Sequence, residues 1–105
     1  MPQGDCYEAA ARLIIESDFL GEKISLTLIH GFVTGQGKLE GVVYGHAWVE
    51  DKKGNVLDYS NDRKLVVPKE LYYSIGKIDH KKQKRYSSKE TRKMLNKYEH
   101  WGPWE

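Results

Sequence analysis

The chain opens on a helical pattern. Apolar or small residues at Tyr7, Ala10, Ala11, Ile14 and Ile15 recur with the spacing of one helix face. Asp5 stands before this run, and Glu8 follows three residues later. The pair predicts a helix over 6–20 with a capping box in which Asp takes the Ser/Thr place. Gly21 is its expected stop, and Cys6 falls in its first turn. Strand patterning then takes over, predicting strands at 24–34, 42–50 and 55–60. Gly35-Gln36-Gly37 marks the first turn. Lys52-Lys53-Gly54 reads as a three-residue hairpin loop with Gly54 left-handed.

That loop sets a register. If Asp51 pairs with Asn55, Trp48 lies opposite Asp58 and His46 opposite Ser60. His46 and Asp58 then share a face as diagonal neighbours, backbones roughly 7 Å apart. A slip of one residue would put them on opposite faces. Further on, Pro68 suits the first position of one or two helical turns reaching Tyr73. Residues 75–86 read as a strand through Ile78 to about Tyr86. Ser87 and Glu90 form a capping box for a last helix carrying Met94, Leu95 and Tyr98, with Gly102-Pro103 as its stop. Trp101 and Trp104 are expected to staple this end to the body.

Composition bounds the class. With 105 residues, 39% hydrophobic and 30% charged, the chain suits one soluble domain with a packed core. No apolar stretch is long enough for a membrane span, and no basic-then-apolar opening marks a secretory signal. The single cysteine excludes an intrachain disulfide and a zinc site of several thiolates, and the expected compartment is a reducing cytoplasm. Charge is uneven: residues 1–75 carry 8 basic against 11 acidic residues, and residues 76–105 carry 9 against 4. The basic segment 77–97 suits an acidic protein partner or RNA, although a solvated surface is the plainer account of such a run. It carries no aromatic–glycine RNA motif and no helix-turn-helix signature.

Cysteine catalysis needs a thiolate, a base within reach and a group that orients the base. Cys6 sits where a helix dipole and free N–H groups favour negative charge and offer oxyanion donors. His46 lies mid-strand in Gly45-His46-Ala47-Trp48, and Asp58 lies on the next strand. One face of that strand presents Tyr44, His46, Trp48 and Glu50, which suits a cleft. The other presents Val43, Gly45, Ala47 and Val49, small enough for a helix carrying Cys6 to approach. Each residue alone has an ordinary structural role. A lone Cys is most often a small buried hydrophobe, and a lone His or Asp commonly serves the core or ends a strand. The combination points to chemistry. His30, His46, His80 and His100 have no ligand-like spacing, and no cofactor or metal is expected.

Asp5-Cys6 opening a helix, Gly45-His46-Ala47-Trp48-Val49-Glu50, and Val56-Leu57-Asp58 after a turn together resemble the transglutaminase-like branch of the papain-like cysteine fold. Over about residues 4–60 the chain is similar to the bacterial leader peptidases that process lasso peptides. Tyr7 stands where many members carry Trp, and Asp58 is followed by Tyr59-Ser60 rather than Pro. The resemblance implies an α+β papain-like minimal core in one domain: an N-terminal helix carrying the Cys on an antiparallel sheet, and a C-terminal helix. It implies a Cys6-His46-Asp58 triad, with oxyanion donation from Cys6 N–H and the Gln3 side chain, and with Trp48 walling the cleft. The expected activity is that of a cysteine peptidase or amidase on a peptide or protein substrate, hydrolysis favoured over transamidation. Two alternatives stand beside it. One is a non-catalytic binding module on the same fold, gripping an acidic protein or RNA through its basic third. The other is a small structural or inhibitory protein.

Overall fold

The computed structural model describes residues 5–19, 25–60 and 63–104. Helix α1 spans Cys6–Phe19. Asp5 directly precedes it, and the Asp5 carbonyl accepts the Ala9 N–H at 2.7 Å. The expected stop at Gly21 lies outside the described residues. Strand β1 follows at Leu26–Thr34, a 3-10 turn at Gly37–Leu39, then β2 at Val43–Asp51 and β3 at Asn55–Asp58. Strand β4 (Leu65–Pro68), helix α2 (Lys69–Gly76), strand β5 (Lys84–Tyr86) and helix α3 (Ser88–Tyr98) complete the order. The five strands form one antiparallel sheet in the order β4-β3-β2-β1-β5.

The β2–β3 hairpin adopts the register that its loop predicts, with Val49 opposite Leu57 and Glu50 opposite Val56. Gly54 takes φ 87°, and the Asp51 carboxylate accepts the Lys53 and Asn55 N–H groups at 2.9 Å each. Strand β3 ends at Asp58, two residues before the expected Ser60. There the Asp58 carboxylate accepts from Ser60 N–H at 3.1 Å and Ser60 Oγ–H at 2.6 Å. This local turn takes the place of ladder pairing.

The C-terminal half departs further from expectation. Leu65–Pro68 forms a fourth strand, so Pro68 closes β4 in extended backbone (φ −58°, ψ 141°) and caps α2 instead of starting it. The strand expected over 75–86 is absent except for Lys84–Tyr86. Between Lys77 and Gln83 only Ile78 is apolar, so the segment has no face to bury in a sheet. It turns instead, with Asp79 accepting the Lys81 N–H on its carboxylate and the Lys82 N–H on its carbonyl, each at 2.9 Å. The Ser87–Glu90 capping box is formed reciprocally. Helix α3 ends at a left-handed Glu99 (φ 58°), before Gly102.

Both faces of the sheet are covered. On one, α1 and α3 pack Cys6, Ala10, Ile14, Met94 and Leu95 against Leu28, Ala47 and Val49. Gly45 makes room here: a Cβ on it would stand 2.8 Å from the Tyr7 hydroxyl oxygen. Trp104 is buried in this layer, its Nε1–H donating to the His100 carbonyl at 2.8 Å. Arg12 stacks 5.0 Å from the Trp101 ring, tying the chain end to α1. On the other face α2 packs Tyr72 and Tyr73 over Ile29, Trp48 and Val56. The buried Glu50 carboxylate is satisfied by Trp48 Nε1–H, the Tyr73 hydroxyl, Arg85 at 2.8 Å and Lys69 at 3.4 Å. Helix α2 thus covers the Trp48 and Glu50 half of the polar row on β2, while Tyr44 and His46 line a cleft. No described helix is long and apolar enough to cross a membrane.

Candidate active site

Three elements converge on His46. Cys6 is the first residue of α1, so its N–H has no acceptor within the helix. His46 lies on β2 beyond the last β3 pair, and Asp58 is the last residue of β3. His46 Nε2–H donates to Asp58 Oδ2 at 3.1 Å. The Cys6 side chain also acts on the ring, favouring its charged form. With Nε2 taken, Nδ1 is the nitrogen left for the thiol. All three side chains are buried, at 6%, 8% and 2% exposure for Cys6, His46 and Asp58, yet all three line one cleft of about 560 Å³.

The electrostatics follow from these contacts. Burial disfavours charge on His46, but the hydrogen bond to Asp58 and the action of Cys6 outweigh it and push the imidazole up to about 9. Burial likewise opposes the Asp58 carboxylate. Hydrogen bonds from His46, Ser60 and Tyr72 hold it well below the usual carboxylate range. The histidine is therefore a cation at neutral pH, with an ionised carboxylate behind it. Two phenols feel the same field. Burial, then the charge of Cys6, pushes Tyr7 up to about 12, and the same two causes raise Tyr44. Both hydroxyls remain protonated donors.

Sequence reading missed the residues that hold Asp58. Tyr72 Oη–H donates to Asp58 Oδ2 at 2.7 Å from α2. Its own ionisation is suppressed by burial and by the Asp58 charge beside it. Ser60 donates twice to Oδ1, and the Arg63 guanidinium stands 3.7 Å from Oδ2. The Ser60 contact had a sequence signal, an Asp-x-Ser turn after a strand. The Tyr72 contact had none, because α2 reaches Asp58 only through tertiary packing. Trp48 is a correction. It does not wall the cleft but lies fully buried beneath His46, rings stacked at 6.2 Å, under Tyr72 and Tyr73. Tyr44 and Tyr72 stand at the cleft instead. Gln3 lies outside the described residues.

The rest of the cleft is largely apolar, lined by Val33, Leu39, Leu65, Leu71 and Ile75. Leu71 and Ile75 are about half exposed, at 49% and 52%. Among the described residues no three His, Cys, Asp or Glu side chains gather so as to hold a metal ion. The chain matches no family model, and no match is found among curated proteins or solved structures.

Proposed function

We propose that this chain is a cysteine-dependent acyl-transfer enzyme, a peptidase or amidase on a papain-like minimal core. One observation carries the reading: Cys6 lines the same cleft as a hydrogen-bonded His46–Asp58 pair. Cys6 Sγ attacks an amide carbonyl and forms a C–S bond as the carbonyl π pair moves to oxygen. The proton of the thiol resides on His46 Nδ1. The Cys6 N–H at the start of α1 faces the developing oxyanion. His46 then gives its proton to the leaving amine as the C–N bond breaks, and a water activated by the same nitrogen cleaves the thioester. Asp58 holds the ring in place and balances its charge throughout. The aliphatic wall of Leu39, Leu71 and Ile75 suits a nonpolar side chain on the acyl side. Water reaches the open cleft without a second binding site, which favours hydrolysis over transamidation.

The test is the pH profile of Cys6 alkylation by iodoacetamide, in the natural chain and in His46→Ala. Fast reaction persisting at pH 6, well below an unperturbed thiol pKa of about 8.5, and lost in the variant, supports the reading. A profile ordinary for a thiol and unchanged by His46→Ala overturns it. Circular dichroism of the variant separates lost chemistry from lost fold.

A further inference from the structure

A second cleft, of about 590 Å³, opens on the α1 face of the sheet. Tyr7, Phe32, Gly45 and the His30–Trp104 pair form its walls, and the turn before β5 together with Lys84, the first residue of β5, forms its rim. That rim carries Lys81, Lys82 and Lys84, three exposed cations within four residues. Among the described residues none of the three is in an ion pair, whereas Arg12, Arg63, Lys69 and Arg85 all are. Asp79, the acidic residue of the same turn, already accepts the Lys81 N–H on its carboxylate. Like charges this close repel one another, and a bound anion relieves the repulsion. Below them Phe32 is 55% exposed, a large ring open to whatever enters.

The inner wall shows the same lack of a partner. His30 is 7% exposed, and neither ring nitrogen has a hydrogen-bond partner among the described residues. It is ringed by Tyr7, Tyr86 and Trp104 at centroid distances of 4.9, 5.0 and 4.9 Å. A buried imidazole without an acceptor for its N–H is costly.

We propose that this cleft binds an acidic peptide segment. Its carboxylates meet Lys81, Lys82 and Lys84, and a nonpolar residue beside them packs on Phe32 and Tyr7. Nucleic acid fits less well. Stacking a run of bases needs several exposed ring faces along a long cationic track, but among the aromatic rings lining this cleft only Phe32 is exposed, and His30 and Trp104 are buried against each other. This cleft lies on the opposite face of the sheet from the His46 side chain and the cleft it lines, since Gly45 and His46 are successive residues of one strand. Binding itself does not depend on Cys6 chemistry.

Fluorescence anisotropy tests this with a fluorescein-labelled peptide of about ten alternating glutamate and leucine residues. The controls are its lysine–leucine counterpart and a labelled oligouridylate of similar length. The acidic peptide is expected to bind saturably, and several-fold more weakly when salt is raised from 0.05 to about 0.5 M. The Lys81→Glu/Lys82→Glu/Lys84→Glu variant should weaken it at least tenfold, and Phe32→Ala several-fold, while Cys6→Ala leaves it unchanged. All three lysines are exposed, and thermal melting checks that their variant stays folded. Failure of the acidic peptide to bind, tighter binding of oligouridylate, or an equal loss from Lys89→Glu/Lys93→Glu/Lys97→Glu on α3 would overturn the proposal. The Cys6→Ala arm keeps the two readings apart: a dead thiol leaves this binding intact, and an empty cleft leaves the alkylation profile intact.

Discussion

His46 and His30 sit on adjacent strands and are almost equally buried, at 8% and 7% exposure, yet they are driven in opposite directions. His46 is pushed up to about 9 despite its burial, because Asp58 and Cys6 favour its charged form. Burial and the nearby Lys84 push His30 down to about 4, and three aromatic rings pack around it. The two side chains also point to opposite faces of the sheet, His46 toward α2 and His30 toward α1 and the chain end. Burial therefore says nothing by itself about a histidine's charge. One carboxylate reverses the outcome.

The largest expected effect comes from removing that carboxylate's charge. Asp58→Asn should bring His46 from about 9 back toward the ordinary 6.5, while His30 stays near 4. Ring resonances followed by NMR titration report both in one sample. Cys6 alkylation at pH 6 should fall about 100-fold in the same variant, the usual scale for a disabled acid–base partner. An unmoved His46 titration would mean that Asp58 is not its partner in solution.

Stability against pH sharpens the contrast. His46 is raised in the folded chain, so its contribution is full below the unfolded value of about 6.5 and is lost as pH rises toward about 9. His30 is lowered, so the unfolded chain takes up its proton first. Stability then drains as pH falls from about 6.5 to about 4. Asp58, also lowered, adds a further loss as pH drops below the ordinary carboxylate range. The melting temperature should therefore peak near pH 6.5. Asp58→Asn should flatten the alkaline limb. His30→Phe should flatten the acid one, gaining about 2 kcal/mol at pH 4.5 relative to the parent's loss there. A parent curve with no acid limb above pH 4.5 would show that His30 is not held neutral.

The smallest effect belongs to the residue that sequence reading overlooked. Tyr72→Phe deletes one hydrogen bond to Asp58 and should cost about 1 kcal/mol in denaturant unfolding. It should lower Cys6 alkylation only a few-fold, since Ser60 still holds Oδ1. A loss as large as that of Asp58→Asn would move Tyr72 from a positioning role to the centre of the site.

Much of the fold was legible because its signals are local. Lys52-Lys53-Gly54 dictated a hairpin whose register puts His46 and Asp58 on one face, since φ 87° is open to Gly54 and β side chains alternate strictly. Ser87 and Glu90 marked the start of α3 for a similar reason: a capping box joins residues three apart. Where local signals were thin, as from Leu65 to Tyr86, expectation and structure parted. Short β4 and β5 exist because β3 and β1 offer them edges, and no residue within either strand announces that.

The sequence by itself determined the helix that begins at Cys6, the pairing of β2 with β3, and the face shared by His46 and Asp58. These rest on backbone geometry within a few residues. Only the tertiary structure brought Cys6 to His46, laid α2 over Trp48 so that Tyr72 reaches Asp58, and left His30 among rings with no partner. Those outcomes depend on how helices settle on the two faces of a sheet, and packing free energy is summed over contacts between residues far apart in the chain.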